Sequence, residues 1–81
     1  MSKTLVESTA AAVKHFRKKK LLSQEELADK AQLDRTYISG VERGVRNITL
    51  ESLEQIITAL DVTTIEFFHL VTKESDSDLS N

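Results

Sequence analysis

Eighty-one residues with a formal net charge of −2 make room for one small domain with a modest core. There is no cysteine and there are two histidines, His15 and His69, so disulfide scaffolds and zinc cages of cysteine and histidine are excluded. With no proline and two glycines, few strand or hairpin signals remain, and an all-α chain is expected. No apolar run approaches the about 18 residues of a membrane span and no signal peptide is evident. A cytoplasmic location without a membrane partner is therefore expected. The overall acidity conceals a polarity. Through Arg46 there are ten Lys and Arg against six Asp and Glu, and from Asn47 onward one against seven. A basic first part and an acidic second part suit a molecule with one face turned to phosphate.

From about Thr4 to Lys19, Val6, Ala10, Val13 and Phe16 recur at helical spacing. This helix closes on the cations Arg17 to Lys20, which favour the carbonyl end of the helix dipole, and Lys18 to Lys20 are equally suited to a DNA backbone. Ser23-Gln24-Glu25-Glu26 is a capping box that starts a second helix over residues 24–31, with Leu27, Ala28 and Ala31 facing inward. After a tight turn at Gln32-Leu33, Asp34 caps a third helix from Arg35 to Arg43, and Gly44 ends it. At about 100° per residue that helix has a polar face of Arg35, Thr36, Ser39, Gly40 and Arg43. Ile38 and Val41 form the opposite face, with Tyr37 at the rim.

Two features separate this polar face from an ordinary solvated one. It carries two arginines and no acid. Gly40 costs a helix interior about 1 kcal/mol relative to Ala, so something must require it. Arginines that fork onto guanine acceptors, with a bare position between them for close backbone approach, suit a helix lying in a DNA major groove. Ala28 is small where the second and third helices would cross, and Leu27, Ala31, Leu33, Ile38 and Val41 supply a shared core. The two helices read as a helix-turn-helix.

Beyond Gly44, Thr49 caps a fourth helix from about Leu50 to Leu60, with an apolar stripe of Leu50, Leu53, Ile56, Ile57 and Leu60. Thr63-Thr64-Ile65-Glu66 is a second capping box, for a fifth helix from about Thr64 to Thr72. The apolar residues of that helix span about 220°, where roughly 100° covers one core. The surplus is expected to bury against a second copy of the chain, through Ile65, Phe67, Phe68 and Val71. The alternative is that Phe67 or Phe68 closes a gap beneath the first helix. The domain is expected over residues 4–72, and the polar, acidic stretch 73–81 as a disordered tail.

The stretch Ser23 to Asn47, with SQEELA, YIS and ERG in order, resembles the helix-turn-helix of the phage-repressor (XRE-like) family. Within it, LDRTYISGVERGVRN is most similar to the controller proteins of restriction–modification systems, over most of residues 5–72. The resemblance implies a five-helix, homodimeric fold in which Arg35, Thr36 and Ser39 read bases. It implies contacts to the DNA backbone or groove edge from Gln24, Tyr37, Arg43, Arg46 and Asn47, that of Tyr37 through its hydroxyl. It also implies a structural salt bridge between Arg17 and Glu42, tying the first helix to the recognition helix. Gln32 departs from the family's usual glycine in the turn, and a left-handed Gln costs about 1 kcal/mol.

The implied function is autoregulation from a pseudo-palindromic double-stranded DNA operator, with two recognition helices in major grooves about 34 Å apart. The controlled genes would be the protein's own and an endonuclease, activated at low concentration and repressed at high. RNA polymerase is a candidate further partner, with Glu25, Glu26 and Asp29 as its surface, although the helix dipole alone accounts for acids at a helix start. No cofactor, metal or enzymatic activity is expected: neither His15 nor His69 has an evident nucleophile or acid partner. Two alternatives stay open. One is another phage-type repressor or an antitoxin, which would co-purify with a second protein. The other is a protein-interaction adaptor, which would be indifferent to salt and to DNA sequence.

Overall fold

The computed structural model describes residues 4–76. They form five α-helices: α1 (Leu5–Lys19), α2 (Gln24–Ala31), α3 (Arg35–Glu42), α4 (Leu50–Ala59) and α5 (Thr64–Asp76). Each start is fixed by a side chain that accepts an open backbone N–H. At α1, Thr4 Oγ1 accepts from the Glu7 N–H while the Glu7 carboxylate accepts from the Thr4 N–H, a capping box. Ser23 with Glu26 and Thr63 with Glu66 repeat it. Hydrogen bonds from Ser23 and Thr63, the backbone N–H foremost, hold the Glu26 and Glu66 carboxyls below the ordinary carboxylate value. Thr49 caps α4 through the Ser52 N–H, and Asp34 caps α3 through the Thr36 N–H.

The first three helices end alike. The N–H groups of Leu22 and Leu21 donate to the carbonyls of Arg17 and Lys18, those of Leu33 and Gln32 to Ala28 and Asp29, and those of Val45 and Gly44 to Gly40 and Val41. This Schellman closure needs one left-handed residue just past the helix. Those residues are Leu21 (φ 60°), Gln32 (φ 59°) and Gly44 (φ 73°). Only the last is glycine, so Leu21 and Gln32 each carry about 1 kcal/mol of backbone strain.

Against the core, α1 packs on α5 and α3, while α2 packs on α3 and α4. Val13, Leu27, Ile38, Ile56, Leu60, Phe67 and Val71 are fully enclosed, and the Phe16 and Phe67 rings stack with centroids 6.0 Å apart. Two of the residues expected at a dimer interface are thus corrected. Phe67 and Val71 are 0% and 1% exposed within the single chain, because they form the ridge that α5 turns inward. The apolar surplus is Ile65, 82% exposed, and Phe68, 36% exposed. Leu50, expected on the core stripe of α4, is also outside, at the first position of its helix. α5 extends four residues past Thr72 to Asp76, so the start of the expected tail is helical. No glycine or proline interrupts Lys73 to Asp76, and nothing local stops the helix there. The remainder, 77–81, lies outside the described residues. No helix is long and apolar enough to cross a membrane among the described residues.

Candidate nucleic-acid interface

The turn between α2 and α3 is short because the α2 closure and the α3 cap follow one another directly, from Gln32 to Asp34. Ala28, 2% exposed, lets the two helices meet closely. With Ile38 and Val41 buried beneath α3, Arg35, Thr36 and Arg43 stand exposed and Ser39 half-exposed on the other side. Arg43 lies back along the helix, its Nε donating to the Ser39 carbonyl at 3.4 Å. Arg46 and Asn47 are exposed in the loop that follows. The exposed positions from Arg35 to Asn47 hold three arginines and no acid.

The one acid inside α3 is neutralised internally. Arg17 Nε donates to Glu42 Oε2 at 2.6 Å and Nη2 to Oε1 at 3.0 Å, a bidentate pair. The third guanidinium nitrogen donates to the Leu22 carbonyl at 2.7 Å, and Gln24 Nε2 donates to Glu42 Oε1 at 3.1 Å. The Arg17 and Glu42 side chains are 11% and 3% exposed. These bonds clamp the end of α1, the start of α2 and the end of α3 into one unit. Gln24, expected at the DNA backbone, commits an amide hydrogen to this clamp.

Two expectations change at the centre of α3. Gly40 is not open for approach by DNA: it is buried beneath Arg46, and a Cβ added there would sit 3.2 Å from the Arg46 Cβ. Tyr37 does not present its hydroxyl to solvent. The Arg46 guanidinium lies 5.0 Å from the ring centroid, within cation–π range, and the hydroxyl is buried with no hydrogen-bond partner among the described residues. A hydroxyl left this way costs about 1–3 kcal/mol. Sequence inspection misses this triad because Arg46 lies across a loop from α3; the unexplained helical glycine was the one visible signal.

Beside this polar surface an apolar groove opens, lined by Leu5, Val6, Ile48, Leu50 and Phe68, with Asn47 on its border. Sequence periodicity assigns Val6 and Leu50 to the core, yet both are exposed, as is Leu5.

A helix-turn-helix family model matches residues 13–67. Control protein C.MunI of a Mycoplasma species is 46% identical over 63 residues, which cover 76% of this chain and 85% of that protein. Control protein C.SmaI of Serratia marcescens is 44% identical over 57 residues, 70% of this chain and 68% of that protein. Among solved structures, the wild-type restriction–modification controller protein C.Esp1396I matches with a TM-score of 0.85 at 44% identity, over 89% of this chain and 95% of that one. The same controller, solved as a tetramer in complex with its natural 35 base-pair operator, matches with the same TM-score, identity and coverage. The chain belongs to the helix-turn-helix family, in the group of restriction–modification control proteins.

Proposed function

We propose that the protein is a sequence-specific DNA-binding regulator that occupies a pseudo-palindromic operator as a homodimer. On this reading it controls its own gene and the endonuclease gene of a restriction–modification system. The observation that carries the reading is the acid-free, arginine-bearing face of α3, held rigidly by the Arg17–Glu42 clamp. Arg35, Thr36 and Ser39 read base edges, where a bidentate arginine on guanine discriminates by about 1–3 kcal/mol. Arg43 and Arg46 neutralise phosphate, and Asn47 meets the groove edge. Gln24 acts mainly through Glu42, by orienting it.

The second copy docks on the exposed apolar surface, where Phe68 of α5 lines a groove with Leu5, Val6 and Leu50 and Ile65, one helical turn before Phe68, is also exposed. A two-fold pairing presents two α3 helices to successive major grooves. That a related controller is a tetramer on its operator supports dimers that bind in pairs.

The test is titration of a labelled duplex from upstream of the protein's own gene, across a salt series, against a scrambled duplex of equal length. Binding by two protomers per site that weakens steeply with salt and resists the scrambled competitor is expected. Equal, weak binding to both duplexes would overturn the reading.

A further inference from the structure

We propose that Gly40 is a positioning residue for DNA contact: its bare α-carbon is the seat that holds Arg46 against Tyr37 at the rim of the recognition helix. This rests on the reading of Arg46 as a phosphate contact. Gly40 lies inside α3 with ordinary helical backbone, so no left-handed conformation demands a glycine there. Ala would be the better helix former, and the position is nonetheless bare. What the bareness provides is room. An added Cβ would meet the Arg46 Cβ at 3.2 Å, and its Cδ and Cγ at 3.7 and 3.8 Å.

The shortest of these contacts decides the matter. A long side chain can swing its far end aside, but the Cβ of Arg46 is fixed to the loop backbone. Relief therefore requires the loop itself to move. That loop is pinned to the same residue, since the Val45 N–H donates to the Gly40 carbonyl at 3.1 Å. Residues 37 and 40 lie one turn apart on one side of α3, so the stem of Arg46 crosses Gly40 and its guanidinium reaches the Tyr37 ring at 5.0 Å. The stem is packed while the head keeps access to water or phosphate. A side chain at position 40 must push the stem and its loop outward by at least a few tenths of an ångström, which shifts the guanidinium over the Tyr37 ring and displaces its charge.

The test is a double-mutant cycle of Gly40→Ala and Arg46→Ala, read by affinity for a duplex of unrelated sequence and by its salt dependence. Arg46→Ala should lower the slope of log K against log salt by about one. Gly40→Ala should lose part of the same affinity, and the double variant should bind within about twofold of Arg46→Ala alone. The chain has one tyrosine and no tryptophan, so near-ultraviolet circular dichroism reports Tyr37 without overlap from other tyrosines or tryptophan. Both single variants should change that signal. Gly40→Ala binding like the unaltered protein while Arg46→Ala weakens would overturn the proposal, as would additive losses in the double variant. Arg46→Ala binding like the unaltered protein would remove the phosphate contact itself, and the proposal with it. If Gly40→Ala prevents folding, Arg46→Gly removes the opposing Cβ and should restore the fold; equal damage in that background would overturn the seat.

Discussion

α3 and α5 are both helices that give one side to the same core, and they differ in what is left over. On α3 the core takes Ile38 and Val41, and the exposed remainder is polar and cationic, with Arg35, Thr36 and Arg43. On α5 the core takes Phe67 and Val71, and the remainder includes Ile65 and Phe68. One chain thus carries a surface suited to phosphate and base edges and another suited to a second apolar surface. The core explains neither. The residues a helix does not need for its own fold are where its partners are written, and the two kinds of residue call for two kinds of partner.

The contrast breaks most sharply within α5. Phe67→Ala should cost about 3–5 kcal/mol of unfolding free energy, measured in urea, because it empties an enclosed site. Phe68→Asp should leave the protomer folded and yield monomers in sedimentation equilibrium. A persistent dimer would place the interface elsewhere. On the α3 side, Glu42→Ala strands a mostly buried Arg17 and should cost several kcal/mol, well above the about 1 kcal/mol limit of an exposed pair. A loss below that limit would mean that water solvates Arg17 and the clamp does not rigidify α3.

Smaller effects sharpen the picture of how the helices are held. Gln32→Gly should stabilise the chain by about 0.5–1 kcal/mol in thermal melts, since it relieves a left-handed non-glycine backbone. A lowered melting temperature would show that the Gln32 side chain contributes more than its backbone costs. The capping boxes give the smallest signal. Glu26 and Glu66 have carboxyls held below their ordinary value. Their contribution is complete above the ordinary carboxylate range and is lost as pH falls through the depressed values. Glu26→Gln should therefore narrow its stability difference from the unaltered protein on acidification, and a difference independent of pH would contradict this.

Much of this organisation is legible in the residues themselves. Ser23 with Glu26 and Thr63 with Glu66 announce helix starts because capping is local, and α2 runs over the expected residues 24–31. Helix ends are harder. Leu21 and Asp61 adopt left-handed backbones without being glycine, and nothing in the residue type signals it. A helical wheel gave the width of the α5 apolar arc but not its rotation against α1, which decides that Phe67 is inside and Phe68 outside. The polar face of α3 was legible from spacing. The role of Gly40 was not, because the residue covering it, Arg46, arrives through a loop whose path no periodicity encodes.

The proposed function has α3 reading sequence through Arg35. Its most direct test compares the unaltered protein with Arg35→Ala on the operator and on a scrambled duplex at the same salt concentration. A loss of about 1–3 kcal/mol in preference for the operator, with binding to the scrambled duplex nearly unchanged, is the predicted result. Unchanged discrimination between the two duplexes would contradict it.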